Sequence, residues 1–210
     1  MDAAIAAVLL EYEKRGAEEH KLQTQGSMDQ WLARRDEFLL AVAPATGQLL
    51  NILAKAAKSR TILELGTSYG YSTVWLAEAA RATGGQLITI EKAANKQNYA
   101  RTMLGKAGLT AHVDFRLGDA LDTIASLKGP FDFVFVDLWK ELYIDCFELF
   151  YPKLSPGAFV AADNMLRPDN YREDALKYRK YVRSKPKIDS VLLPIGSGVE
   201  LSRYNDPLPA

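Results

Sequence analysis

Thr61-Ile62-Leu63-Glu64-Leu65-Gly66-Thr67-Ser68-Tyr69-Gly70-Tyr71-Ser72 is the stretch on which the reading of the fold turns. A short apolar run that stops at a glycine reads as a buried strand. The two glycines that follow suit a tight turn, and a helical pattern runs from Ser72 to Ala82. The same rhythm continues downstream. Gly84-Gly85 leads into a strand over Gln86–Ile90, a helix covers Ala93–Lys106 with Gly108 as its stop, and a third strand covers His112–Arg116. A short helix over Ala120–Leu127 and the Gly129-Pro130 turn precede a fourth strand, Phe131–Val136. A helix over Lys140–Phe150, a turn at Ser155-Pro156-Gly157, a fifth strand over Ala158–Ala162 and a helix over Asp169–Ser184 come next. Gly196-Ser197-Gly198 suits a hairpin between Ser190–Leu193 and Val199–Ser202.

Upstream, the pattern predicts helices over Ala3–Leu22, Met28–Val42 and Gln48–Ala57, with residues 43–47 as an interruption. Strands alternating with helices imply an α/β fold: a parallel sheet with helices on both faces. The expected organisation is one domain over residues 1–210, with a helical cap at 1–43 and a core at 44–210. In such sheets ligands bind beyond the C-terminal ends of the strands. That rule separates polar residues at strand ends, which are candidates, from those on helix faces.

Gly66 and Gly70 let the backbone approach a ligand, although a tight turn alone also calls for glycine. Glu64, inside a buried strand, needs a partner, and a cationic ligand would supply one. Glu91 ends the second strand, where an acid commonly accepts hydrogen bonds from ribose hydroxyls. That alone fits a nicotinamide or an adenosyl cofactor. The dinucleotide fingerprint needs its first two glycines one residue apart, and here Ser68 holds the middle position. Gly118-Asp119-Ala120 follows the third strand, and Asp119 suits either an adenine amino group or a helix N-cap. Asp137 and Asp163-Asn164 end the fourth and fifth strands. Neighbouring carboxylates repel unless a cation lies between them, and an all-oxygen set suits a hard ion such as Mg²⁺. Capping of the next helices is the plainer alternative. Lys140, three residues after Asp137, reads as a general base if burial lowers its pKa, and otherwise as a solvated helix lysine.

Lys+Arg and Asp+Glu both number 26, so the formal net charge is +0 and there is no basic footprint for nucleic acid or an acidic membrane surface. A small-molecule substrate is the expectation. The single cysteine, Cys146, excludes an intramolecular disulfide and favours a reducing, cytoplasmic setting. The apolar start of the chain lacks a basic leader and runs into Glu11, Glu13 and Lys14, so it reads as an amphipathic helix and not a signal peptide.

These residues together resemble the catechol O-methyltransferase and caffeoyl-coenzyme-A O-methyltransferase family, particularly its bacterial members. The resemblance runs from about Pro44 to Arg203. It rests on Ile62–Thr73, on Asp137-Leu138-Trp139-Lys140, on Ala162-Asp163-Asn164-Met165 with Pro168 after it, and on Gly198-Val199-Glu200. It implies a Rossmann-like methyltransferase fold, with a seven-stranded sheet whose one antiparallel strand is Val199–Arg203, and often a homodimer. It implies S-adenosylmethionine held by Glu64, Gly66, Tyr69 and Ser72 at the methionine end, by Glu91 at the ribose, and by Gly118, Asp119 and Ala120 around the adenine. Asp137, next to the cofactor, would bind Mg²⁺ with Asp163 and Asn164. Lys140 would take the proton of a hydroxylated substrate lined by Trp139, Pro168 and Glu200. Two departures stand out: Leu138 replaces the catechol enzyme's histidine, and the segment before Pro44 does not follow that enzyme. A nicotinamide-dependent oxidoreductase and a non-catalytic S-adenosylmethionine-binding protein are the rival readings.

Overall fold

The computed structural model describes residues 1–25 and 37–205. Seven strands form one sheet: β1 (Thr61–Leu65), β2 (Gln86–Glu91), β3 (Val113–Leu117), β4 (Phe131–Val136), β5 (Leu154–Ala162), β6 (Ile188–Leu193) and β7 (Val199–Tyr204). Their order is β3-β2-β1-β4-β5-β7-β6, and β7 runs antiparallel to both of its neighbours. Among the described residues the α-helices are α1 (Ala3–Gln25), α2 (Pro44–Ala56), α3 (Tyr71–Thr83), α4 (Ala94–Lys106), α5 (Ala120–Ser126), α6 (Tyr143–Phe150) and α7 (Arg172–Arg183). This is the mostly parallel seven-stranded sheet that the resemblance implies.

The central strands are apolar throughout because both faces are covered. Ile62, Phe133, Phe135 and Ala161 pack in one core layer with α1 to α4. Leu63, Leu65, Val134, Val136 and Ala162 pack in the other with α5 to α7. Phe133 and Phe135 are wholly buried, and each contributes of the order of 2 kcal/mol by leaving water.

The register then sets which strand ends meet. Leu65 is level with Ile90 and Val136, and Val136 is level with Ala162. The ladder continues one residue further: Asp137 N donates to Leu65 O at 2.9 Å and Asp163 N to Val136 O at 3.1 Å. The residues just beyond β1, β4 and β5 are therefore neighbours on one rim. This rim includes the β1/β4 switch point, where the strand order reverses.

Several boundaries differ from the sequence reading. Pro44 does not interrupt a helix but starts α2, where its missing N–H costs nothing. Ser155-Pro156-Gly157 lies inside β5 and is not a turn. The β4/β5 register shifts between Phe131 and Phe133, and such irregularities are where a strand tolerates proline. Lys140–Leu142 and Asp169–Tyr171 are single 3-10 turns ahead of α6 and α7. His112 also ends a 3-10 turn and does not open β3. Of the helix expected over Met28–Val42, residues 28–36 lie outside the described residues, and 39–43 are irregular backbone.

Candidate active site

The loop after β1 has the backbone that its glycines predict. Gly66 sits at φ +97°, and a Cβ there would lie 2.1 Å from the Asp137 carbonyl oxygen. Gly70 sits at φ +99°, and a Cβ there would lie 2.7 Å from Ala100 Cβ. Gly66→Ala is therefore expected to destabilise the chain by about 3 kcal/mol or more, since a backbone contact cannot be relieved by a rotamer change. Urea unfolding measures it; a loss below about 1 kcal/mol would show that the loop can move away from Asp137.

Glu91 fastens this loop. Its Oε2 accepts from Ser68 N at 2.8 Å and its Oε1 from Ala93 N at 2.8 Å. Gly118 N donates to the Glu91 carbonyl at 2.9 Å, which brings the third strand end alongside. Asp119 caps α5, accepting from Leu121 N at 2.8 Å and Asp122 N at 3.3 Å. The capping alternative for Asp119 is thus present in the fold, and Ala120 is the first residue of the helix it caps.

Glu64 is wholly buried behind the loop. Ser72 Oγ donates to its Oε1 at 2.6 Å, while Thr73 and Thr89 donate to Oε2 at 2.7 and 2.6 Å. Burial pushes the carboxyl up to about 7 even though the three hydroxyls pull it down. Desolvation wins, and a nearby cation would restore the charged form.

A second group of polar residues stands on the ends of β4 and β5. Asp163 and Lys140 are buried. Asp163 Oδ1 is buried with no hydrogen-bond partner among the described residues. Lys140 Nζ donates to Tyr143 Oη and, at 3.2 Å, to Asn164 Oδ1. Asn164 adopts a left-handed backbone, φ +58°, which asparagine tolerates better than most residues. Burial raises the Asp137 carboxyl, with the Asp163 charge adding to it. Burial also raises Asp163, against the Asn164 backbone N–H and Lys140. Burial lowers the Lys140 ammonium, against the attraction of both carboxylates. An unpaired buried carboxylate oxygen beside a second acid and an amide oxygen is an oxygen donor set that fits a hard divalent cation.

A cleft beside the glycine loop reaches Asp137 of the second group. Leu39–Val42 and Gly66–Ser72 line it, together with Asp137. Helix α1 holds both walls: Tyr12 Oη donates to Tyr69 O at 2.6 Å, and Glu19 Oε2 accepts from Leu39 N at 2.8 Å. Ser68 Oγ closes the cleft from the other side by donating to Leu39 O at 3.2 Å. The ring of Tyr69 meets Tyr99 edge-on at 5.4 Å with the Arg15 guanidinium above it at 4.6 Å.

The expected substrate residues are placed unevenly. Trp139 precedes Lys140 and tilts against Tyr171, ring centroids 6.4 Å apart. Pro168 is exposed just before the Asp169–Tyr171 turn. The Glu200 carboxylate has other partners: Arg179 at 3.1 Å, Arg183 at 2.6 Å and the Ser190 hydroxyl at 2.6 Å. Tyr143, Tyr12 and the stretch Leu39–Val42 are not singled out by the sequence; each falls within an expected helix, with nothing local to mark it.

A sequence profile of the family described as O-methyltransferase matches residues 15–205, so the match begins well ahead of Pro44. Over 132 residues the chain is 38% identical to a catechol O-methyltransferase of Niastella koreensis, covering 61% of this chain and only 59% of that relative. Over 187 residues it is 29% identical to caffeoyl-CoA O-methyltransferase 1 of Eucalyptus globulus, covering 79% of this chain and 75% of that one. The O-methyltransferase of Bacillus cereus, solved in complex with SAH, superposes with a TM-score of 0.76 at 26% identity, over 95% of this chain and 91% of that one. With the sheet order, the glycine loop and the acid-bearing strand ends in place, a profile match over nearly its whole length shows that the chain belongs to the O-methyltransferase family.

Proposed function

We propose that this chain transfers a methyl group from S-adenosylmethionine to a hydroxyl of a small, catechol-like molecule, with a divalent cation, Mg²⁺ first, held by Asp137, Asp163 and Asn164. The observation that carries the reading is the rim group of Asp137, Asp163, Asn164 and Lys140 beside the glycine loop, with Asp163 and Lys140 buried. The names of the relatives support a vicinal diol as acceptor. When bound, the cation would polarise a chelated hydroxyl as a Lewis acid, and the sulfonium would supply an activated methyl group.

The residues of the chain divide the remaining work. Glu64 and the Gly66–Ser72 loop hold the methionine end, with Glu91 next to the ribose and Gly118–Ala120 by the adenine. Lys140 Nζ accepts the hydroxyl proton; burial lowers its pKa towards the range in which a neutral amine is populated. Trp139 and Pro168 flank the acceptor. Confinement in the cleft makes the transfer effectively intramolecular. A homodimer is the assembly expected with this reading. Among the described residues no helix is long and apolar enough to cross a membrane.

Glu64 gives the reading a pH signature. Its folded pKa, about 7, lies above the ordinary carboxyl value of 4.5. The unliganded fold thus favours the neutral acid and loses stability as pH rises from 4.5 towards 7. A cationic cofactor favours the charged acid, so cofactor affinity should rise roughly tenfold between pH 6 and 8 and level off above. Calorimetry of S-adenosylmethionine binding measures it, and Glu64→Gln should flatten the profile. A profile equally steep in Glu64→Gln would remove Glu64 from the cofactor's charge recognition.

A further inference from the structure

We infer that Tyr143 is a positioning residue for Lys140: its hydroxyl holds the amine so that the lone pair is left for the acceptor hydroxyl. The inference rests on the reading of Lys140 as proton acceptor, and goes beyond it by assigning what aims that lysine.

Tyr143 is wholly buried at the start of α6, one turn after Lys140. Its hydroxyl has one hydrogen, and two carbonyls compete for it: Val136 O at 3.1 Å and Asp163 O at 3.3 Å. These are the last residue of β4 and the first beyond β5. With that hydrogen shared by the strand-end carbonyls, the phenol oxygen accepts from Lys140 Nζ.

A neutral lysine amine has two hydrogens and one lone pair. The structure provides two acceptors, Tyr143 Oη and Asn164 Oδ1. Both hydrogens are then spoken for, and the lone pair takes the remaining direction. Without the hydroxyl, one amine hydrogen has no fixed acceptor and Nζ is free to turn towards the acids of the rim.

Removing this hydroxyl costs Asp163 O its bond to it but leaves most of the surrounding structure in place. Val136 O also accepts from Asp163 N at 3.1 Å, so it stays bonded when the phenol is removed. The ring itself packs edge-on against Tyr178 at 5.3 Å, a contact that phenylalanine keeps. Tyr143→Phe therefore separates aim from packing.

The test is steady-state methyl transfer from labelled S-adenosylmethionine to catechol with Mg²⁺, using the full chain, wild type, Tyr143→Phe and Lys140→Met. The expected result for Tyr143→Phe is a kcat lower by about 10- to 100-fold, with KM for catechol, cofactor affinity and Tm close to wild type. An unchanged kcat overturns the inference. So does a joint fall of kcat, cofactor affinity and Tm, which would make Tyr143 a packing residue only. If Tyr143→Phe does not fold, NMR of the ¹⁵N-lysine-labelled wild type decides. The Lys140 ζ signal, identified by its loss in Lys140→Met, should show a rotationally restricted amine with contacts to the Tyr143 ring. A freely rotating, solvent-like amine would overturn the proposal. Lys140→Met also keeps the two claims apart. Full turnover in Lys140→Met sinks the proton-acceptor reading itself, whereas an inactive Lys140→Met beside a normal Tyr143→Phe sinks only the role of Tyr143.

Discussion

Lys140→Met should lower kcat for methyl transfer by about 10²- to 10⁴-fold, the range that a positioned proton acceptor contributes. Methionine is unbranched and of similar length, so it fills the buried position without leaving a cavity. Cofactor binding should survive, because the loop of Gly66–Ser72 and Glu64 draws on β1, β2 and α3 and not on Lys140. Removing one cation from beside Asp137 and Asp163 should not weaken divalent-cation binding, since the amine opposes a second positive charge. Turnover with labelled S-adenosylmethionine and calorimetry with the cofactor check both halves. Near-normal turnover would assign the proton to solvent.

Asp163→Asn is expected to reduce turnover by roughly 10³-fold, equivalent to several kcal/mol of lost transition-state charge stabilisation. The substitution keeps the shape and removes the charge. It also makes a neutral amide of a buried carboxylate whose Oδ1 has no hydrogen-bond partner among the described residues. The backbone of residue 163 keeps its ladder bond to Val136, so the rim should hold its form. Cofactor affinity should change little, while the concentration of Mg²⁺ needed for half-maximal activity should rise at least about tenfold. A Mg²⁺ titration of activity reads this. An unchanged titration curve with reduced kcat would make Asp163 an electrostatic neighbour of the reaction and not a ligand.

Much of this was legible in the residues, and the reasons are specific. The run Phe131–Val136 reads as a central strand because β4 is covered on both faces, and it is found with those bounds. Gly66 and Gly70 read as a tight turn, and both have backbones that side chains rarely adopt. The rim group was legible because a parallel sheet puts successive strand ends on one edge, so Asp137 and Asp163 come together although they are far apart in sequence.

What was not legible depended on tertiary partners. Pro156 and Gly157 carry the local signal of a turn, but the irregular start of the β4/β5 pairing keeps them in a strand. Pro44 carries the signal of a break and serves as a helix start. The motif around Glu200 does not reveal the two arginines of α7 that pair with its carboxylate. Tyr143 shares a helical turn with Lys140, and only the carbonyls of two strand ends give its hydroxyl a direction.

The most direct test of the central claim is methyl transfer from labelled S-adenosylmethionine to a panel of catechols, caffeoyl compounds and simple phenols, with Mg²⁺ and with a chelator. Transfer to vicinal diols alone, abolished by the chelator and restored by excess Mg²⁺, is the expected result. Transfer that is indifferent to the chelator, or that proceeds equally well to simple phenols, would contradict it.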